Sequence, residues 1–188
     1  MEKEKALESS IEYLKQLTRS IPDYPQPGII FRDLATVFQD KKGMGLALDL
    51  LSERVTGPTG DRMYDKLVGI ESRGFILAGG LSGKLGGGVV MARKPGKLPF
   101  RKQRVAYTLE YGEDAMEMHV DAIEPGEKIV VVDDLLATGG TADAACKLVE
   151  MLGGKIEKVL FLVELPDLGG RRFLQQYAVD AIFGFSGH

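Results

Sequence analysis

The stretch Asp133-Asp134-Leu135-Leu136-Ala137-Thr138-Gly139-Gly140-Thr141 concentrates more chemistry than any other part of the chain. Adjacent carboxylates repel each other, so burying them at a strand end calls for fixed hydroxyls or a bound cation. Thr138-Gly139-Gly140-Thr141 offers backbone N–H groups without Cβ obstruction, two hydroxyls and the positive end of a following helix. Together these make a phosphate cradle. No lysine follows the glycines before the Ser/Thr, so this is not a Walker loop, and it is not a G-x-G-x-x-G turn. A pair of acids just before the cradle suits a ribose phosphate, with the carboxylates on sugar hydroxyls and the loop on the 5′-phosphate. Valine at Gly139 is expected to crowd the phosphate-facing amides while leaving the fold largely intact. An acidic strand-end turn followed by a capped helix is the alternative reading.

A second candidate is electrostatic. Arg93, Lys94, Lys97, Arg101, Lys102 and Arg104 follow one another without an acid, leaving 18 basic against 27 acidic residues in the rest of the chain. Such a segment can focus an anionic ligand, or it can be a solvated loop. Nucleic acid fits less well, because the acidic remainder repels phosphate backbones. His119 and His188, the only histidines, read as ordinary surface or core residues, and no nucleophile-elbow string supports a Ser-His-Asp triad. Cys146, the single cysteine, excludes an intrachain disulfide and a cysteine-rich zinc site. It reads as a small packed residue in a reduced, cytoplasmic setting. The charged start Met1-Glu2-Lys3-Glu4-Lys5 leads into no apolar signal core. The longest aliphatic or aromatic run, Val159 to Val163, is far short of a membrane span.

These residues need a scaffold. At 188 residues and 44% hydrophobic, the chain suits one globular domain over 1–188. Helical spacing links Ile11, Leu14, Leu17 and Ile21 after Ser9-Ser10. Pro22, Pro25 and Pro27 then force an irregular stretch, and a second helix is expected over 44–55. Leu67–Ile70 and Gly88–Ala92 read as strands around a helix over 74–85. Val105, Tyr107, Leu109 and Tyr111 alternate, as do Met116, Met118 and Val120, which predicts a hairpin turning at Gly112-Glu113-Asp114. Ile129–Val132 is the strongest buried strand. A helix over 141–152 and strands at Val159–Val163 and Val179–Phe183 follow. Strands alternating with helices indicate an α/β fold with a parallel sheet, whose ligand sits at the carboxyl ends of the strands.

Val130 to Thr141 resembles the phosphoribosyl-pyrophosphate motif of type I phosphoribosyltransferases. Further blocks resemble the adenine phosphoribosyltransferase family, in the same order along nearly the whole chain. They are Ile21-Pro22-Asp23-Tyr24-Pro25, Pro27 to Asp33, Gly69 to Phe75, Arg93 to Pro99, Tyr107 to Gly112 and Leu162 to Leu165. The resemblance implies a type I phosphoribosyltransferase-like parallel sheet flanked by helices. It adds an N-terminal helix and hood segment over 1–35 and a flexible hairpin over 98–120. It also implies transfer of phosphoribose from phosphoribosyl pyrophosphate to N9 of adenine, giving AMP and pyrophosphate with magnesium (Mg2+). The metal would be held mainly by substrate, near Asp133 and Asp134.

By match to the family motifs, Ala137, Thr138, Gly139, Gly140 and Thr141 would bind the 5′-phosphate, and Asp133 and Asp134 the ribose. Glu71-Ser72-Arg73-Gly74 resembles a pyrophosphate loop with a cis peptide at Glu71–Ser72, turning Ser72 and Arg73 toward the leaving group. Lys97 would neutralise that group, and Arg93 would act across a homodimer interface. Ile30, Phe31, Arg32 and Leu165 would form the base site, with no lysine beside the apolar wall to meet a purine O6. Read without the resemblance, the 27–31 stretch favours core packing over a ligand wall. Glu110 would be the catalytic carboxylate of a closing loop, flanked by Gly112 and by Arg101–Arg104, to which no role attaches. Two other readings stay open at this point. One is transfer to another base such as xanthine or orotate. The other is a non-catalytic sensor of phosphoribosyl pyrophosphate. No nucleic-acid or membrane partner is implied.

Overall fold

The computed structural model describes residues 2–109 and 112–187, with backbone alone for Glu2, Lys3, Thr108, Leu109, Gly112 and Glu113. The first helix, α1 (Glu2–Leu17), is rich in Glu, Lys, Ala and Leu, all strong helix formers. It begins before Ser9-Ser10 and stops short of Ile21. That residue lies instead on β1 (Arg19–Pro22), opposite Phe31 of the antiparallel β2 (Ile30–Asp33). Helical spacing over-extended this element because the following prolines withhold the donors a helix needs. A short α2 (Ala35–Gln39), not foreseen, precedes α3 (Lys41–Glu53). Asp40 caps α3 by accepting from the Gly43 N–H at 2.6 Å, which starts the helix earlier than its apolar spacing suggests.

The sheet proper begins with β3 (Lys66–Ile70), α4 (Arg73–Leu85) and β4 (Gly88–Ala92). A hairpin of β5 (Lys102–Leu109) and β6 (Gly112–His119) follows. Gly112-Glu113-Asp114, expected as its turn, belongs to β6, with Leu109 opposite Gly112 and Tyr107 opposite Asp114. The chain continues through β7 (Lys128–Leu136), α5 (Gly140–Met151), β8 (Lys155–Glu164), two short 3-10 turns at Pro166–Leu168 and Gly170–Leu174, and β9 (Val179–Gly184). β7 outruns the expected apolar core, because β8 keeps pairing with it as far as Leu136–Glu164. Asp133 and Asp134 are therefore inside the strand and not beyond it.

The five strands run parallel in the order β4-β3-β7-β8-β9. From β3 the chain steps outward to β4, and from β7 it steps the other way to β8 and β9. The reversal between β3 and β7 is a topological switch point, where the carboxyl ends of an open sheet leave a crevice. Val68, Val131 and Phe161 pack on one face with Cys146, Leu148 and Met116. Leu67, Val130, Val132 and Leu160 pack on the other with Leu51, Leu77 and Leu81. Burying both faces explains the nearly uninterrupted apolar runs of β3 and β7. Among the described residues, no helix is long and apolar enough to cross a membrane.

Candidate functional site

The switch point brings together the loop after β3 and the loop after β7. Close packing is built into this junction. A Cβ at Gly69 would lie 2.8 Å from the Gly74 carbonyl oxygen, and one at Gly74 would lie 2.6 Å from that of Val132. Only glycine lets the start of α4 press so tightly on the sheet, and this brings Arg73, the first residue of α4, beside β7. Arg73 Nε donates to Asp134 Oδ2. Two residues expected to serve separate parts of a ligand therefore form one ion pair across the crevice. The Glu71–Ser72 peptide is cis.

The pleat sends successive strand side chains to opposite faces. Asp134 is buried beneath Arg73, while Asp133 lines a pocket of about 90 Å³ together with Leu136, Ala137, Thr138, Gly139 and Thr141. Asp133 Oδ1 accepts the Asp134 N–H at 2.9 Å. Burial pushes the Asp133 carboxyl well above the usual range, and the neighbouring Asp134 carboxylate adds to it.

Gly139 has φ +87°, a left-handed conformation, and the first helical bond of α5 runs from the Asp143 N–H to its carbonyl at 2.9 Å. A Cβ there would sit 2.5 Å from the Gly170 carbonyl oxygen. This corrects the expectation that valine at Gly139 spares the fold. The glycine is required by the backbone packing beneath the loop as well as by access from above it. Gly140 opens α5, and Gly139, Thr141 and Ala142 at that helix N-terminus line the pocket.

The basic segment arranges itself around acids. Arg93 Nε donates to Glu71 Oε2 at 3.2 Å, and the Lys94 N–H donates to the same oxygen at 2.9 Å. Burial alone would raise the Glu71 carboxyl, but these donors and the charge of Lys97 outweigh it and hold the group below its ordinary value. Lys97 is exposed, and its carbonyl accepts from Arg93. Glu117, buried on β6, accepts from Lys102 at 2.9 Å and from the Gly96 N–H at 3.0 Å. Again burial would raise the carboxyl, and Lys102 with the Gly96 N–H reverses the shift. Lys102, for which the sequence suggested no role, thus pairs across the hairpin with Glu117, and Glu117 in turn anchors the loop after β4 through the Gly96 N–H. An alternating run that places an acid between Met116 and Met118 was the available signal for Glu117.

Ile30, Phe31 and Arg32 lie half-buried on β2, with the Tyr24 ring edge-on to Phe31 at 5.3 Å. The Arg32 guanidinium stacks 4.4 Å above the Phe185 ring, and the Phe185 N–H donates to the Glu164 carbonyl. Leu165 follows directly, its N–H bonded to the Leu136 carbonyl at 2.9 Å. These links carry β2 to the same sheet edge as Leu165 and the cradle. Glu110 lies outside the described residues. Cys146 is buried in α5, where burial raises its thiol pKa far above the ordinary value, so it is inert. A wider hollow of about 360 Å³ between α1 and α3 is lined by no strand end. The topology therefore favours the smaller pocket at the crevice.

Among the described residues no cluster of three or more His, Cys, Asp or Glu side chains could hold a metal. The donor set does fit a cation held chiefly by a bound ligand. Asp133 offers a carboxylate whose ionisation is disfavoured and which a nearby positive charge would relieve.

Residues 40–179 match the family described as the phosphoribosyl transferase domain. An adenine phosphoribosyltransferase of Agrobacterium fabrum is 50% identical over 177 residues, covering 93% of this chain and 96% of the relative. The crystal structure of adenine phosphoribosyltransferase from Thermoanaerobacter pseudethanolicus superposes with a TM-score of 0.88 at 42% identity, covering 93% of this chain and 99% of that one. The Saccharomyces cerevisiae enzyme complexed with an imino-altritol bisphosphate and adenine also gives a TM-score of 0.88. It is 35% identical, again with 93% and 99% covered.

Proposed function

This chain belongs to the adenine phosphoribosyltransferase family, and from that premise we propose how its own residues carry the reaction. It transfers the 5-phosphoribosyl group from phosphoribosyl pyrophosphate to N9 of adenine, giving AMP and pyrophosphate, a step of purine salvage. The observation that best supports the reading is the strand–loop–helix unit Asp133–Thr141 at the switch point, with left-handed Gly139 and the α5 N-terminus facing one pocket.

In this reading Ala137 to Thr141 bind the 5′-phosphate through loop and helix N–H groups and the Thr138 and Thr141 hydroxyls. Asp133 and Asp134 accept from the ribose hydroxyls. Ser72 and Arg73 face the pyrophosphate, and Lys97 adds a positive charge from the loop after β4. As the bond from the anomeric carbon to the pyrophosphate oxygen breaks, charge develops on the leaving group, and Arg73 and Lys97 stabilise it. The same carbon becomes oxocarbenium-like and bonds to N9, which gives up its proton. Glu110 is the carboxylate proposed to accept or steer that proton. Asp133 and Asp134 would lie beside a Mg2+ held mainly by the substrate, which would supply further charge neutralisation when bound. Adenine lies against Ile30, Phe31 and Leu165, with Arg32 braced by Phe185.

We read 1–188 as one domain, with 1–35 as the hood over the base and 98–120 as the closing hairpin. A homodimer is part of the proposal. Val89 and Met91 are exposed on β4, one of the two edge strands of the sheet, and a second copy would cover them. The same copy would bring its own basic segment, and with it Arg93, to the interface. A cytoplasmic location accords with the single, buried thiol. Nucleic acid and membrane have no part in this reading.

The test is a product assay offering phosphoribosyl pyrophosphate and Mg2+ with adenine, hypoxanthine, guanine, xanthine and orotate in parallel. AMP from adenine, with the other bases poor, is expected. Equal turnover of hypoxanthine would overturn the base assignment. Binding of phosphoribosyl pyrophosphate without any product would overturn the catalytic one.

A further inference from the structure

A chain of side chains reaches the cradle from below and includes residues that the mechanism above does not use. The Lys94 ammonium donates to Asp114 Oδ2 and, at 2.7 Å, to the Tyr107 hydroxyl. Tyr107 donates to Asp114 Oδ2 at 3.0 Å, and the Thr141 hydroxyl donates to Tyr107 at 3.1 Å. The Ala115 N–H takes the other Asp114 oxygen at 2.7 Å. Tyr107 is buried, and it faces Asp114 directly across the hairpin. Four residues from three separate elements therefore share one hydrogen-bond path: the loop after β4, the hairpin, and the second residue of α5.

The direction of these bonds follows from what each group can do. An ammonium only donates and a carboxylate only accepts, so the Tyr107 proton goes to Asp114 and its lone pairs remain for Lys94 and Thr141. Lys94 and Asp114 reinforce one another. The two hydrogen bonds from Lys94 overcome the burial that would lower its pKa, and Asp114 is held ionised against the burial that would raise its own. The tyrosine is thus fixed at both ends.

Thr141 lines the pocket at the crevice. A threonine in a helix divides between two χ1 rotamers, because its hydroxyl can also turn back to a carbonyl of the preceding turn. The bond to Tyr107 selects one of them. A phosphate oxygen only accepts, so on binding the Thr141 proton must swing toward it. Tyr107 can then donate to the Thr141 oxygen, while Asp114 keeps Lys94 and the Ala115 N–H. A phenylalanine at 107 could neither select the rotamer nor reverse the bond.

We propose that Tyr107, held by Asp114 and Lys94, is a positioning residue that sets the Thr141 hydroxyl for the 5′-phosphate and registers the hairpin on the cradle. The proposal rests on the phosphate-cradle reading of the preceding section. It assigns the Tyr107–Asp114 pair of the hairpin to substrate affinity, apart from the catalytic role proposed for Glu110.

A double-mutant cycle on the full-length enzyme tests it. Calorimetry measures phosphoribosyl pyrophosphate binding, with Mg2+, to wild type, Tyr107→Phe, Thr141→Val and the double variant. Steady-state KM for both substrates is measured alongside. Thr141→Val is expected to weaken phosphoribosyl pyrophosphate roughly ten-fold, the scale of a hydrogen bond to a charged group. Tyr107→Phe should weaken it about three- to five-fold, leave the adenine KM within about two-fold, and add nothing in the Thr141→Val background. Asp114→Asn should follow the same pattern and serves as a second probe. An equal loss from Tyr107→Phe in both backgrounds would overturn the proposal, as would no loss in the wild-type background. Unchanged affinity in Thr141→Val would instead remove the cradle reading, and the proposal with it.

Discussion

Asp133 and Glu117 are both carboxylates withdrawn from water near the carboxyl edge of the sheet, and their proton affinities shift in opposite directions. Glu117, on the hairpin, meets Lys102 and the Gly96 N–H, which keep it ionised despite burial. Asp133, on β7, meets burial and the like charge of Asp134, and its ionised form is disfavoured. The charge of Arg73 offsets this only in part, and its hydrogen bond goes to Asp134. Asp114 and Glu117 on the hairpin are satisfied within the chain. The cradle keeps a charge conflict that a bound ligand and its cation would resolve. Strain of this kind belongs where binding energy can be applied.

The largest expected effect comes from the backbone under the cradle. Gly139→Val places a branched side chain at positive φ and 2.5 Å from the Gly170 carbonyl oxygen. It should cost roughly 3–5 kcal/mol and lower the Tm by about 10 °C or more. Thermal denaturation checks this, and a variant as stable as wild type would mean that the loop is not braced from beneath. Next in size is the hairpin. Lys102→Met leaves Glu117 buried with the Gly96 N–H and the charge of Arg104. Because Lys102 is itself partly exposed, the loss should be about 1–2 kcal/mol. Glu117 has a lowered native pKa, so its stabilisation is present above the ordinary carboxylate range and is lost as pH falls through that native value. The deficit of Lys102→Met should therefore be full at neutral pH and shrink in acid. A deficit that did not change with pH would attribute it to packing of the lysine stem.

The strand–loop–helix unit proposed as the cradle was legible in the sequence because all its parts are contiguous: an apolar run, two acids, and glycines between hydroxyls, followed by a helix. The sheet was legible for the same local reason, since strands buried on both faces read as apolar blocks. Boundaries were not. The strand continued through Asp133 and Asp134 because β8 offers partners that a local reading cannot see. Helical spacing ran on to Ile21 because nothing in the period shows that β2 is waiting opposite. The hairpin turn was displaced because Gly112 looks like a turn residue when its pairing with Leu109 is unknown. Lys94, Tyr107, Asp114 and Thr141 could not be read as a group at all. They meet only through tertiary packing, and Tyr107 had counted simply as an apolar position in an alternating strand. Lys102 had looked like one charge in a basic run until the structure set it against Glu117.

The smallest effect is the most direct test of the contrast between satisfied and unsatisfied carboxylates. Asp133→Asn keeps the oxygen that accepts from the Asp134 N–H and removes the disfavoured charge. With its native pKa raised, Asp133 binds its proton more tightly folded than unfolded, so its penalty is absent below the ordinary carboxylate range and grows as pH rises through the raised native value. Thermal unfolding of wild type and Asp133→Asn, without ligand, should be compared from about pH 4 to pH 8. The variant is expected to be more stable than wild type by about 1 kcal/mol at neutral pH, with the two converging in acid. An Asp133→Asn protein less stable than wild type across the whole range would contradict the account, because it would mean that the ionised carboxylate is already satisfied in the free chain.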